Sequence, residues 1–281
     1  MQNVVAGDIE SWLKEDGIGE VGIYWQRLPV VPVRAQIKIK SDLTLAGLPW
    51  FCAVFEKLAP ELGNSLRPLI EYEGRELNAG TVITLPVALP WGVAISGERL
   101  ALNLLHKASA VATATKALVN LASPAGVKVL DTRKTTPGLR ALEKYAVTVG
   151  GGSNHRFSQV DAWMIKDNHK ELMGLKGAVE FFRSLNQPYK NLIVEIHNLI
   201  ELTEARELGV QYFLLDNFTP EMLASACTSK RAGEFFEVSG GINLQTVKSV
   251  LIPGVDAVSS GAITMFPGTV DISFKFQPES V

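Results

Sequence analysis

The stretch LIVEIHNLIELTEARELGVQYFLLDNF, residues 192–218, decides the fold. An apolar run, Leu192–Val194, stops at Glu195; a helix-like segment, Leu199–Leu208, follows; a second run, Tyr212–Leu215, stops at Asp216. The runs lack a period of two, as strands covered on both faces do. The unit recurs downstream, where helix-like stretches over Pro220–Ala226 and Leu244–Val250 precede further strands. Phe235–Val238 ends at Ser239 and Ala257–Val258 at Ser259, so the four ends are 21, 23 and 20 residues apart. That is the length of a compact β/α repeat, and it predicts a parallel sheet. Upstream, Val127–Leu130 before Asp131 and Ala162–Ile165 before Lys166 extend the series. Parallel sheets bind ligands at the carboxyl ends of their strands, so six polar strand ends point to a shared site more than to six helix caps. An open doubly wound sheet is the competing architecture, but no GxGxxG follows a first strand. A barrel of seven or eight strands accounts better for the number of units.

The first hundred residues have a different texture, that of a mixed α/β module. Ile9, Trp12 and Leu13 share a face of a short helix over Asp8–Glu15. Val31, Val33, Ala35, Ile37 and Ile39 alternate with Arg34, Gln36, Lys38 and Lys40, which predicts a strand with one wet side. A helix is expected around Trp50–Leu58, short strands near Leu69–Tyr72 and Val82–Leu85, and a long helix over Ser96–Leu121. The final segment alternates again, with Val270, Ile272, Phe274 and Phe276 on one face. A half-exposed strand does not suit a buried parallel barrel, so this segment is expected to leave it and pair with the N-terminal module.

Composition removes several function classes. Twenty-seven Lys and Arg against 29 Asp and Glu leave a formal charge of −2, which offers no field for nucleic acid or an anionic membrane. No apolar run reaches ~18 residues, and the N-terminus lacks the basic and apolar regions of a secretory signal. Cys52 and Cys227 sit in unrelated contexts and read as buried thiols of a reducing, cytoplasmic setting. Locally the balance differs: residues 128–176 hold nine Lys or Arg and five Asp or Glu, a net of +4.

That excess, placed at strand ends, suits a small polyanionic substrate. Arg133, Lys134, Thr135 and Thr136 follow one strand directly, and Gly150–Gly152 let backbone approach a ligand. Glu195 and Asp216 end successive strands, and such a pair can coordinate Mg²⁺ carried by phosphates or hold sugar hydroxyls near developing positive charge. Ser239-Gly240-Gly241 and Ser260-Gly261-Ala262 follow the last two strands, where backbone N–H groups commonly cradle a monophosphate. His155 beside Arg156 is a candidate substrate contact, and His169 is expected to do no more than position that loop. His106 lies on a helix and reads equally as a satisfied core residue or a surface one, and His197 lies in register with Glu195. No HExxH, zinc-type Cys/His spacing or GxSxG is present. Together these features suggest transfer chemistry on a phosphorylated sugar. A Schiff-base aldolase using Lys166 is the alternative, and it leaves the arginines without a purpose.

The runs Asp131-Thr-Arg-Lys-Thr-Thr-Pro-Gly-Leu-Arg140, Glu143-Lys-Tyr-Ala146, Gly150-Gly-Gly-Ser-Asn-His-Arg156 and Ile165-Lys-Asp-Asn-His169 make the reading specific. With Leu215-Asp-Asn-Phe218, Ser239-Gly-Gly-Ile242 and Asp271-Ile-Ser-Phe-Lys275, the chain closely resembles the quinolinate phosphoribosyltransferase family. The resemblance implies an N-terminal α/β sandwich, residues 1–108 completed by 265–281, and an incomplete, seven-stranded α/β barrel, residues 109–264. It implies Mg²⁺-dependent transfer of phosphoribosyl from 5-phosphoribosyl-1-pyrophosphate to quinolinate, with decarboxylation to nicotinate mononucleotide. By the same likeness Arg133, His155, Arg156 and Lys166 surround the dicarboxylate, and Lys134 contacts substrate or diphosphate. Glu195 and Asp216 face ribose and metal, Ser239, Gly240 and Gly261 hold the 5′-phosphate, and Arg99 reaches the site of a partner in a homodimer or an oligomer of dimers. The chain departs from the family at Glu15-Asp-Gly-Ile-Gly-Glu-Val-Gly22, at Ser109-Ala-Val-Ala-Thr113, at His197, where an acidic residue is more usual, and at Met265, where His is common. A molybdenum-associated paralogue shares the fold, so a different aromatic substrate or a non-catalytic binding role stands as the alternative.

Overall fold

The structure, a computed structural model, describes residues 2–18, 28 and 31–278. Gly19–Gly22 of the divergent N-terminal signature lie outside them. In chain order the elements are α1 (Gln2–Glu15), β1 (Pro32–Ile39), β2 (Leu43–Thr44), α2 (Leu48–Leu58), β3 (Glu76–Leu77), β4 (Val82–Thr84), β5 (Leu89–Pro90) and α3 (Trp91–Ala122). The second half continues with β6 (Lys128–Leu130), α4 (Arg140–Val149), β7 (Trp163–Ile165), α5 (Asp167–Ser184), β8 (Leu192–Ile196) and α6 (Leu199–Glu207). It closes with β9 (Tyr212–Asp216), α7 (Pro220–Thr228), β10 (Phe235–Ser239), β11 (Ala257–Ser259), α8 (Ala262–Met265) and β12 (Ile272–Pro278). No helix among the described residues is long and apolar enough to cross a membrane.

The chain groups into two units, the first made of Met1–Ala114, Thr136–Gly150 and Pro267–Val281, the second of Thr115–Thr135 and Gly151–Phe266. In the first, β1 is the centre of an antiparallel sheet, flanked by β12 on one side and by β4 and β5 on the other. The alternation seen in the sequence is what buries it: Val33, Ala35, Ile37 and Ile39 are all in the core. The C-terminal segment does leave the barrel, pairing Val33 with Pro278 through to Ile39 with Ile272. Phe274 of this strand sets its ring against Phe51 and Phe55 of α2, at centroid distances of 5.8 and 5.6 Å. His106 ties α3 to the same strand: Nδ1 donates to the Leu102 carbonyl and Nε2 accepts the Ile272 N–H at 3.0 Å.

The entry to α2 shows how a distant carboxylate replaces a local cap. Gly47 sits at φ +99°, and a Cβ there would lie 2.8 Å from the Cβ of Ala108. The free N–H groups of Gly47 and Leu48 are taken by the two oxygens of Glu73 at 2.7 and 2.9 Å. Burial raises the pKa of Glu73 even though these bonds oppose the shift.

Three expectations are corrected here. Residues Arg67–Tyr72 form a 3₁₀ helix rather than a strand, because Pro68 sets a helical φ and offers no N–H to a ladder. Leu244–Val250 is reduced to a 3₁₀ turn, Val247–Val250, since Asn243 and Thr246 bond locally ahead of it. The segment 136–150, read as part of the barrel, groups with the first unit. Its helix α4 buries Leu142, Ala146 and Val147 there and places the Tyr145 ring 5.0 Å from that of Trp50.

The second unit holds six parallel strands in the order β6-β11-β10-β9-β8-β7. β6, first of these in the chain, pairs with β11, the last, so the strands follow chain order around a circle. That arrangement is a barrel and excludes the doubly wound sheet, whose order must reverse. The seventh position is a single parallel bridge from Ser153 to Leu130. No ladder joins Ser153 to β7 among the described residues, and the barrel is incomplete at that point. Of the two thiols, Cys52 is buried and pushed up to about 12 by that burial, whereas Cys227 is only partly covered.

Phe274 tests the return of the C-terminal strand. Phe274→Ala removes a buried ring in contact with three others, and urea unfolding should show a loss of about 3–5 kcal/mol. A loss below ~1 kcal/mol would place the ring outside the core.

Candidate active site

The strand register arranges the barrel's inward side chains in tiers. Glu195 pairs with Leu214, and Leu214 with Glu237. One tier nearer the carboxyl ends, Asp216 pairs with Ser239. Parallel strands in register carry side chains of like parity to the same face, so both tiers open into one cavity of about 690 Å³. Thr132, Arg133, Lys134, His155, Arg156 and Lys166 also line it, together with the glycine loops at 240–241 and 261.

Its basic side rests on Arg133, Arg156 and Lys166. Arg156 donates to the Ala162 carbonyl at 3.2 Å and lies 3.5 Å from Met164 Sδ. Burial lowers its pKa, and the like charge of Arg133 lowers it further, against the opposing pull of Asp161. The Nε of Arg133 is buried without a hydrogen-bond partner. Two guanidinium groups that repel each other beside an open cavity make a site for an anion. Lys166 Nζ contacts Glu195 Oε2 at 2.5 Å.

The acidic side is a network centred on His197. Its Nε2 lies 2.6 Å from Asp167 Oδ1 and 3.7 Å from Glu195 Oε1, and its Nδ1 lies 3.8 Å from Asp216 Oδ2. Glu195 and Asp216 are therefore a tier apart with an imidazole between them, a spacing that strand ends alone do not reveal. Asp216 accepts from Ser239 Oγ at 2.5 Å and from Asn217 Nδ2 at 2.7 Å. Ser239, expected at a phosphate, here turns its hydroxyl to Asp216. Burial would raise the pKa of Asp167, but hydrogen bonds from Lys170 and His197 hold it below the usual carboxylate range. One ligand atom each from Asp167, Glu195 and His197 lies within 4.8 Å of the other two. Hard carboxylate oxygens beside a phosphate-sized cavity match what Mg²⁺ takes from a protein.

The loops on the third side are shaped for close approach. Gly261 packs against Lys134, whose Cδ would meet an added Cβ at 2.9 Å, and Thr264 Oγ1 donates to the Lys134 carbonyl. Gly240, at φ +99°, lies over Asn217, itself in the left-handed region at φ +54°. His169 accepts the Lys166 N–H at 3.1 Å and so supports the strand end. Arg99, on α3, lines a different cavity of about 360 Å³ in the first unit, with Trp12, Glu15, Asp16 and Asn103. The sequence reading missed Asp167 and Lys170, and it also missed Glu237. Glu237 lies two residues before Ser239 on one strand, so a period of two counted back from that residue would have found it.

An incomplete barrel with a cation-lined cavity at its strands' carboxyl ends defines a protein with a site for an anionic ligand. The family model for the quinolinate phosphoribosyl transferase C-terminal domain matches residues 111–275. The chain is 37% identical over 275 residues to a probable nicotinate-nucleotide pyrophosphorylase [carboxylating] of Synechocystis sp., covering 95% of this chain and 90% of that one. It is 35% identical to the human nicotinate-nucleotide pyrophosphorylase [carboxylating], covering 99% of this chain and 93% of that one. The solved structure of the nicotinate-nucleotide pyrophosphorylase from Francisella tularensis superposes with a TM-score of 0.87 at 30% identity, over 99% of this chain and 97% of that one. The chain belongs to the quinolinate phosphoribosyltransferase family, the carboxylating nicotinate-nucleotide pyrophosphorylases.

The two glycines at the rim give a direct test of the packing. An added Cβ at Gly240 would lie 2.2 Å from Asn217 Oδ1, whereas one at Gly241, φ +62°, meets nothing within 4 Å. Gly241→Ala should cost about 1–2 kcal/mol in urea unfolding, the strain of positive φ alone. Gly240→Ala should cost measurably more, because Asn217 must move as well; equal losses would contradict the geometry.

Proposed function

We propose that the barrel mouth joins quinolinate to the phosphoribosyl group of 5-phosphoribosyl-1-pyrophosphate, releasing pyrophosphate and carbon dioxide and leaving nicotinate mononucleotide. The observation that carries this reading is the excess of positive charge at the cavity, which Arg133, Arg156 and Lys166 all line and where Arg133 Nε is buried without a hydrogen-bond partner. Adjacent carboxylates on a flat ring relieve that excess, each pairing with a planar guanidinium fork. Lys166 completes the cationic side while bridged to Glu195, and a lysine so paired is the opposite of the desolvated amine a Schiff base needs. The aldolase alternative is set aside on that ground.

The remaining residues divide the work of the transfer. Glu195 and Asp216 face the ribose, where positive charge grows as the bond to diphosphate lengthens. Lys134 sits where charge builds on the diphosphate. The backbone at Ser239, Gly240 and Gly261 offers N–H groups to the 5′-phosphate. The carboxylates of Glu195 and Asp216, with Asp167 adjacent, fit Mg²⁺ and would hold it directly or through water or diphosphate. Mg²⁺ supplies charge neutralisation for the leaving diphosphate. Loss of the 2-carboxylate as carbon dioxide leaves an electron pair on C2 beside the quaternised ring nitrogen; that cation stabilises it until a proton from water is taken up at C2, with no protein nucleophile. The enzyme works in the cytoplasm as a dimer at minimum, with Arg99 donated to the partner's site. Its place on α3, outside the strand-end cluster, supports that reading.

Purified protein given quinolinate, 5-phosphoribosyl-1-pyrophosphate and Mg²⁺ should release carbon dioxide in step with pyrophosphate. Asp216→Asn should lower kcat by about a hundredfold or more and leave the melting temperature near that of the parent. No release from the parent protein would refute the assignment, and an unchanged kcat would refute the role of Asp216.

The shared site is tested by mixing Arg99→Ala with Lys166→Ala protein under conditions that exchange subunits. A mixed dimer gathers both lesions in one site and leaves the other complete, so activity should return toward half the parent value. Confirmed exchange without recovered turnover would show that Arg99 serves its own subunit.

A further inference from the structure

Glu237 lines the barrel cavity, and the chemistry assigned above makes no use of it. It is buried, in the tier of Leu214, and its Oε1 has no hydrogen-bond partner. An unpaired buried carboxylate oxygen costs free energy that an apolar side chain of the same size would not. The other oxygen explains its presence. Oε2 lies 3.3 Å from Nε2 of His155, whose side chain is only 10% exposed.

His155 is engaged on its other edge too. Its Nδ1 accepts the backbone N–H of Arg156 at 2.7 Å, which leaves Nε2 as the protonated nitrogen, facing Glu237. Its own backbone N–H donates to Oδ1 of the fully buried Asp131 at 2.8 Å. Both ring nitrogens thus have neighbours within the chain. The loop in question, between Ser153 and β7, lies where the barrel lacks a strand ladder. Side chains must do there what β-pairing does elsewhere.

We propose that Glu237 is a positioning residue, which by holding the ring of His155 fixes the backbone of Arg156 and hence the aim of its guanidinium into the cavity. The role of Arg156 toward a carboxylate rests on the function proposed above; the anchoring itself does not. Glutamate suits the task because it accepts the Nε2–H and selects one tautomer, whereas a leucine would fill the space and leave the ring free to flip.

Two measurements test this. Long-range ¹H–¹⁵N spectra of the parent protein, with His155 assigned by its loss in His155→Asn, should show the Nε2–H tautomer. An Nδ1–H tautomer would overturn the proposal whatever the substrate. Kinetically, Glu237→Leu should raise the KM for quinolinate about tenfold to a hundredfold, the scale of a misaimed binding group. kcat and the KM for 5-phosphoribosyl-1-pyrophosphate should stay near the parent values. Glu237→Gln keeps an acceptor oxygen and should restore the quinolinate KM. In an Arg156→Ala background Glu237→Leu should add no further loss, since the two act through one contact. A loss that persists unchanged in that background, or falls equally on both substrates, would make Glu237 a structural residue only. If Glu237→Leu does not fold, a glutamine variant with an impaired quinolinate KM would likewise overturn the proposal. Absence of quinolinate turnover in the parent would refute the function and leave the tautomer measurement to judge the anchor.

Discussion

The in-register pairing of the parallel strands is the constraint on which the site depends. Because Glu195, Leu214 and Glu237 share one level and Asp216 and Ser239 the next, side chains far apart in the chain meet at fixed heights in the cavity. A slip of one residue on any strand would turn its polar groups outward and bring apolar ones in. The apolar outward faces, buried under the helices, make such a slip expensive. Stability and site geometry are therefore specified by the same pattern.

Within that frame the site is organised by charge imbalance on one side and charge balance on the other. Arg133 and Arg156 both line the cavity, and Arg133 Nε is buried there without a hydrogen-bond partner, so this side is built for an anion. At the acidic side, Lys166 pairs with Glu195 and Lys170 with Asp167, while His197 hydrogen-bonds Asp167, and these contacts hold the geometry of the two carboxylates. The first arrangement binds and the second positions. His197, where an acid would add a fourth negative charge, instead hydrogen-bonds Asp167 and lies 3.7 and 3.8 Å from Glu195 and Asp216.

Incompleteness of the barrel has a consequence for how the substrate pocket is built. The residues after Ser153 carry His155 and Arg156 but cannot lean on a neighbouring strand. Their neighbours are the buried Asp131, a carbonyl and a thioether, and Glu237 3.3 Å from the imidazole. Such a loop can be precise only while each of those groups is in place.

Much of this was legible in the chain. The 21-, 23- and 20-residue spacing of strand ends predicts a parallel sheet, since short strands and short crossovers fit that length. The pairing of β6 with β11, the first of the parallel strands with the last, makes it a barrel. The alternation over Ile272–Phe276 predicts the strand that returns to the first unit, because one wet face cannot sit inside a parallel barrel. Arg133, Arg156, Lys166, Glu195 and Asp216 stand out because charges at the ends of apolar runs are costly unless used. Other features were decided by tertiary packing. The helix Arg140–Val149 joins the first unit because Tyr145 meets Trp50, a contact between residues 95 positions apart that no local pattern encodes. Arg67–Tyr72 coils as a 3₁₀ helix, although its apolar residues read equally well as a strand. The interposition of His197 between Glu195 and Asp216 follows from strand register, and the anchoring of His155 on Glu237 from the approach of a loop to a strand. Composition and period are local properties, so the chain alone determines which residues face inward; which of them touch is a property of distance, and only the folded structure supplies it.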